Sequence, residues 1–323
     1  MRNTTKLAVL LSVFALATGF LPAAEELVLE RSFPVGSGAR LDFDSDRGGV
    51  SIQGEARDDI LVRVLARDMD PEEARSALDL QFQETGQGIA VRARIERRGG
   101  WLSSLFGGGD GGIFFEVRVP RNTRLNVDNG SGGVSVAEID APVTVDNGSG
   151  GIHLDHIRGA VTVDNGSGGI KIAEIEGALS VDNGSGGVRV EAIRGDVKVD
   201  NGSGGVSVAE VVGDTTVDNG SGGVSLDGLD GALRVETSSG GIRARLVGIN
   251  AGVTAETGSG GVRIEVPASW GADLDLSSRE GDVIVRGWSE VRVDGQSFVG
   301  AIGGGGPRIS LHSGSGDIEL IAD

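Results

Sequence analysis

"VDNGSGGV" at residues 127–134 returns, with Val or Ile at its last place, from Val145, Val163, Val181, Val199 and Val217, always 18 residues on. A fixed short period predicts a solenoid, in which each repeat is one coil that buries its apolar face only against its neighbours. Within "VTVDNGSGGIHLDHIRGA", residues 143–160, alternation sends Val143, Val145 and Asn147 one way and Thr144 and Asp146 the other. After the glycines, Ile152, Leu154 and Ile157 form a second inward set, and Ile170, Ile172 and Ile175 take the same places one coil later. Each coil therefore reads as two short strands and two corners, the second corner marked by Gly159, Gly177, Gly195, Gly213 and Gly231. The expected fold is all-β: a right-handed parallel β-solenoid with 18-residue coils and a β-rich N-terminal cap. A left-handed helix of hexapeptides also uses 18 residues per coil, but its single aliphatic every six residues is missing here.

Identical coils bring identical residues into columns. Asn129, Asn147, Asn165, Asn183, Asn201 and Asn219 are expected to stack as a structural amide ladder, each satisfied by the copies above and below. Asp128, Asp146, Asp164, Asp182, Asp200 and Asp218 form a second column, a candidate Ca²⁺ site. Carboxylates stacked at ~4.8 Å repel by about 0.9 kcal/mol per pair in bulk water, a load that cations, solvent or capping of each Asp's own turn can relieve. The calcium-binding nonapeptide places an Asp between its glycines and the aliphatic strand, and none stands there in "NGSGGVSV", so turn capping is the expected role.

Outside the repeats the chain divides further. Residues 1–24 have the layout of a secretory signal peptide: Arg2 and Lys6, then an apolar run of about 15 residues, shorter than the ~20 a span needs, then Ala23 and Ala24. No second run of spanning length follows, so the mature chain is expected to have no transmembrane segment and to be exported to the periplasm, cell envelope or exterior. Residues 25–125 read as a capping region of strands with one short helix, in which Asp70 caps and Pro71 starts "DPEEARSAL". Residues 126–269 are the regular coils, and 270–323 irregular coils with a cap.

Composition narrows the function. Net charge is −18, and loss of Arg2 and Lys6 with the leader deepens it to −20, which repels nucleic acid. The chain has no cysteine, hence no disulfides, thiolate sites or cysteine nucleophile. Serines repeated in every turn are unlike a unique catalytic nucleophile, and the absence of Phe, Trp and Tyr from residues 126–269 argues against a glycan-processing groove. His153 and His156 flank Asp155, but the sequence offers no third ligand, so they read as solvated. Trp101, Leu102, Leu105 and Phe106 lie between glycine tracts; they are expected to fold over the open end of the solenoid, with partner contact as the alternative. Trp270, Trp288 and Phe298 are expected to close the other end.

An early "LDFDSDRGGVSIQG" (41–54), then "FEVRVPRNTRLNVDNGSGGVSV" (115–136) and a closing "LHSGSGDIELIAD" (311–323) resemble the bacterial putative-adhesin family of β-strand repeat proteins, a domain of unknown function. The resemblance implies a right-handed β-solenoid and a cell-envelope location, and it supplies no catalytic residues. The resulting expectation is a non-enzymatic envelope interaction, adhesin-like or scaffold module whose partner is an unidentified surface protein or polymer. A Ca²⁺-stabilised structural β-roll is the alternative, and a polysaccharide-acting enzyme the least favoured.

Overall fold

In the computed structural model, which describes residues 25–96, 112–289 and 291–323, the chain forms two sheets of 14 strands each. Within the repeats each NGSGG corner carries the chain from one sheet to the other, as from Val143–Asn147 to Ile152–Arg158 and from Val161–Asn165 to Ile170–Glu176. Each strand pairs in parallel with its counterpart 18 residues on: Val143 with Val161, Ile152 with Ile170. β-Branched side chains suit such half-buried pleated strands. Val143, Val145, Asn147, Ile152, Leu154 and Ile157 are all buried, while Thr144 and Asp146 are exposed. The corners extend the ladder, because the Gly148 N–H donates to the Asn129 carbonyl at 2.9 Å and the Gly150 N–H to the Ser167 carbonyl at 2.8 Å.

One local feature is marked in the sequence only by the step of three between inward residues such as Leu154 and Ile157. Pairing steps from Asp155–Ala173 to Ile157–Ile175, passing over His156 and Glu174. The bypassed residue is left-handed in successive coils, with φ of +61° at Glu138, +52° at His156, +54° at Glu174, +58° at Ala192 and +55° at Glu210. This column of bulges returns the chain to the core, which explains why the inward residues Leu154 and Ile157 are three apart rather than two. Such conformations cost a non-glycine residue roughly 1–2 kcal/mol, so the inward Ile of each coil, or Val211 after Glu210, must offset that.

Both ends of the solenoid interlock. Strands Arg40–Ser45 and Gly49–Glu55 lie between the later coil of Gly88–Ile95 and Gly112–Pro120 and the still later one of Arg124–Asn129 and Val134–Ile139. At the far end, Ile309–Ser313 and Ile318–Ala322 slot between the coil of Val253–Thr257 and Val262–Val266 and that of Ala272–Ser278 and Val283–Arg286. The chain thus returns at each end to place a coil out of sequence order. Contacts of such large sequence separation are slow to form, so the ends are expected to dock after the middle.

Strands Glu25–Pro34 and Asp59–Arg67 extend one sheet in antiparallel fashion, and Leu78–Thr85 edges the other. Helix Pro71–Ala77 joins them, with the Asp70 carboxylate accepting from the Glu72 and Glu73 N–H groups at 2.9 and 3.2 Å. It buries Ala74 and Ala77, and beside this end Phe33 stacks on Phe82 with centroids 5.1 Å apart. Trp101, Leu102, Leu105 and Phe106 lie outside the described residues. At the opposite end Trp270 and Trp288 are buried, and the Trp270 indole N–H donates to the Gly248 carbonyl at 3.0 Å. No described helix is long and apolar enough to cross a membrane.

Candidate functional site

The octamer builds two columns on opposite sides of one sheet. Each strand ends with Asp outward and Asn inward, and the corner then begins. The six asparagines are fully buried. The Asn129 amide nitrogen donates to the Asn147 oxygen at 2.9 Å, Asn147 to Asn165 at 2.9 Å, and Asn165 to Asn183 at 2.8 Å. Asn183 donates to Asn201 at 2.7 Å and Asn201 to Asn219 at 2.8 Å. The second amide hydrogen turns back onto the corner, as from Asn183 to the Gly186 carbonyl at 3.4 Å and from Asn219 to the Gly222 carbonyl at 2.9 Å. A side chain that must donate twice and accept once explains the choice of asparagine. The column is oriented as a whole: reversing Asn147 alone would set its nitrogen 2.9 Å from the Asn129 nitrogen and its oxygen 2.9 Å from the Asn165 oxygen.

Beyond the regular coils hydroxyls take over. Ser45 precedes Asn129 in the column, and Thr237, Thr257, Ser313 and Ser278 follow Asn219, all of them buried. Thr257 and Ser313 each donate to a glycine carbonyl of the neighbouring corner at 2.9 Å, and Ser278 does so at 2.8 Å. "TSSGG" and "TGSGG" carry this substitution visibly in the sequence, whereas "SDRGGV" and "SREGDV" have lost too much of the octamer to show it.

The exposed column is longer than the six repeated aspartates. In register it runs Asp44, Asp128, Asp146, Asp164, Asp182, Asp200, Asp218, Glu236, Glu256, and then His312 and Ser277. Its first member is neutralised: Arg94 and Arg92 reach Asp44 at 2.7 and 3.2 Å, and hydrogen bonding from Arg94 above all holds that carboxyl below its ordinary value. Asp146 and Asp200 are pushed upward, first by partial burial and then by the aspartates on either side. The six repeated aspartates form no side-chain hydrogen bond or ion pair among the described residues, which corrects the expectation that each caps its own turn. Capping aspartates stand at the other corner instead, where Asp196 accepts from the Asp214 N–H at 3.0 Å and Asp214 from the Ala232 N–H at 2.9 Å. The reason is direction: Asp at the strand end points straight out from the sheet, away from the turn that follows.

The carboxylate column ends at a groove of about 690 Å³ lined by Asp218, Glu236, Glu256, Arg279 and His312. His312 is fixed there by Ser277 at 2.7 Å from Nδ1 and Ser310 at 2.9 Å from Nε2. Nothing in the sequence places Ser277 beside His312, because their strands become neighbours only through the inserted final coil.

Comparison with known proteins identifies the chain. The family described as Toastrack DUF4097 matches residues 39–321, and the chain belongs to it. No curated protein matches. Among solved structures, a putative cell adhesion protein from Clostridium sporogenes is 10% identical, covering 92% of this chain and 100% of its own, with a TM-score of 0.20. A putative adhesin from Bacteroides fragilis is 14% identical over 93% of this chain and 100% of its own, with a TM-score of 0.32. One from Parabacteroides distasonis is 8% identical over 91% and 97%, with a TM-score of 0.31.

Proposed function

We propose that this Toastrack protein is an exported cell-envelope module, adhesin-like or scaffolding, that binds by surface through the carboxylate face of its solenoid. In this reading residues 1–24 are a cleaved signal peptide, 25–125 an N-terminal cap, 126–269 the regular coils and 270–323 the closing coils, wound right-handed. The regular coils are a rigid display surface and carry no catalysis. The observation that supports the proposal is the row of six aspartates, held in register on a paired sheet, none of which closes an ion pair among the described residues, although Lys198 lies near Asp200 and Arg94 near Asp128. A row of that kind favours a basic protein or polymer of the envelope and disfavours nucleic acid. The test compares the wild type with a triple variant, D146N/D164N/D182N, on isolated cell envelopes at low salt. The wild type is expected to be retained and to be released near 0.5 M NaCl, where the Debye length falls below ~5 Å. Equal retention of the triple variant would refute the carboxylate face as the contact. Cleavage of the mature chain by protease added to intact cells would place it at the surface, and protection would make it a periplasmic scaffold.

The same row supports a second reading, a structural role for Ca²⁺. Because Asp146 and Asp200 are held above the ordinary carboxyl value, the folded chain takes up protons there before the unfolded chain does. This component of stability is therefore lost as pH rises through the raised values. Removing the middle charge with Asp164→Asn is expected to raise the melting temperature at neutral pH and low salt by ~1–2 °C, with no gain in about 1 M NaCl. If Ca²⁺ occupies the row, the wild type melts lower in EDTA and the advantage of the variant disappears with Ca²⁺; an unchanged melting temperature in EDTA removes the calcium reading.

A further inference from the structure

A different cluster lies on the opposite sheet, at the column of left-handed bulges. His156 sits between two carboxylates, with Nδ1 2.8 Å from Asp155 and Nε2 2.8 Å from Glu174 of the next coil. The third group missing from the sequence is thus 18 residues away and becomes a neighbour only when the coils stack. Each of the three residues offers one ligand atom, and these atoms all lie within 4.8 Å of one another. Glu138, of the preceding coil, adds negative charge on the other side and is itself held by Arg121.

We infer that Asp155, His156 and Glu174 form a binding site for a divalent first-row transition metal, with Zn²⁺ the best fit. The donor set decides the ion: imidazole nitrogen favours Zn²⁺ and its neighbours in the transition series, whereas Ca²⁺ and Mg²⁺ take oxygen ligands. Zinc bonds of about 2.0–2.2 Å require donor atoms roughly 3.3–3.6 Å apart in a tetrahedron, and Asp155 faces Nδ1 while Glu174 faces Nε2, so the side chains must swing until one carboxylate leaves its nitrogen and joins the other at the ion. They are free to do so, because the Asp155 and Glu174 side chains are 32% and 57% exposed. Three protein ligands leave the fourth position to water or to a group from a binding partner.

Two features set this cluster apart from a chance surface grouping of acids. His156 is the sole imidazole in a column otherwise occupied by Glu138, Glu174, Ala192, Glu210 and Gly228. The bulge at φ +52° takes His156 out of the strand pairing, beside a groove of about 290 Å³. Without metal, hydrogen bonding to Asp155 and the surrounding carboxylates raise the pKa of the imidazole, so a metal ion enters by displacing a proton.

Titration calorimetry of the untagged chain with ZnCl₂ tests the site. The wild type is expected to bind with an affinity that rises with pH as the imidazole gives up its proton, and Co²⁺ in place of Zn²⁺ is expected to show the visible bands of a low-coordinate site. His156→Ala and Glu174→Gln are each expected to weaken binding by about tenfold or more, while His153→Ala has no effect. His156→Ala remains folded on this account, because Ala192 occupies the same place with φ +58°. Excess Ca²⁺ leaves Zn²⁺ binding intact if the imidazole holds the ion. Equal Zn²⁺ affinity in the wild type and His156→Ala, no binding at all, or displacement of Zn²⁺ by Ca²⁺ would each overturn the assignment.

Discussion

Gly186→Ala is expected to unseat the central coils, while Gly187→Ala, one residue on, leaves them in place. A Cβ at Gly186 would stand 2.1 Å from the Gly168 carbonyl oxygen of the preceding coil, and the residue has φ +125°. The obstacle is backbone, itself hydrogen-bonded into the next corner, so no side chain can swing aside. Conformational strain of about 1–3 kcal/mol adds to the clash, which places the loss in the exceptional range above ~4 kcal/mol. A Cβ at Gly187 meets nothing closer than the Gly205 carbonyl oxygen at 3.7 Å, an ordinary contact. The first glycine of the motif behaves like the second, with Gly184 bringing a Cβ to 2.5 Å from the Gly166 oxygen. Two of the three glycines in NGSGG are thus required by coil-on-coil contact, and nothing in the packing explains the third. Residues 126–269 contain no Phe, Trp or Tyr, so tryptophan fluorescence reports on the central coils only through Trp270 at their far end. Far-ultraviolet circular dichroism in urea, with hydrogen exchange to localise the loss, is the measurement. Equal midpoints for the two variants would contradict the stacking geometry.

The amide ladder is expected to show the second-largest effect, and a graded one. Asn183→Ala leaves the Asn165 amide hydrogen and the Asn201 oxygen buried without partners, at about 1–3 kcal/mol each, so the loss is roughly 2–6 kcal/mol. Asn129→Ala is expected to lose about half as much: the Asn129 oxygen already has no partner, so the Asn147 oxygen alone is newly orphaned among the amides. Urea midpoints of the two variants check this ordering. Equal losses would mean that the ladder bonds do not determine the cost.

The repeat carried most of this architecture in plain view. Alternation placed Val143, Val145 and Asn147 inward and Asp146 outward, and the 18-residue period matches the register of the strands. Asp70, Pro71, Glu72 and Glu73 likewise marked a helix whose cap is made by the Asp70 carboxylate. What stayed hidden was everything decided between coils of different sequence. The left-handed residue at each bulge is Glu or Ala in four of the six coils, types that do not favour φ above zero, and only His156 and Gly228 belong to types that do, so residue type alone does not mark the column. The order of the terminal coils depends on contacts across 40 or more residues, as between Val253 and Ile309 or Ile52 and Val117. The pairings of His312 with Ser277 and of His156 with Glu174 were invisible for the same reason: each joins side chains from two strands brought together by stacking.

The absence of cysteine permits a direct test of the stacking, because spin labels can be attached at engineered cysteines alone. Asn126, Thr254, Ser310 and Asp275 belong to one outward column, in which Thr254 is seven strand steps from Asn126, Ser310 eight and Asp275 nine. At ~4.8 Å per step, the distances measured from residue 126 by pulsed electron resonance should be about 34, 38 and 43 Å in that order. Residue 310 is then nearer than residue 275 although it lies further along the chain. Distances that follow sequence order instead, with 275 nearer than 310, would contradict the inserted coil, and distances that do not grow by one strand spacing per coil would contradict the solenoid itself.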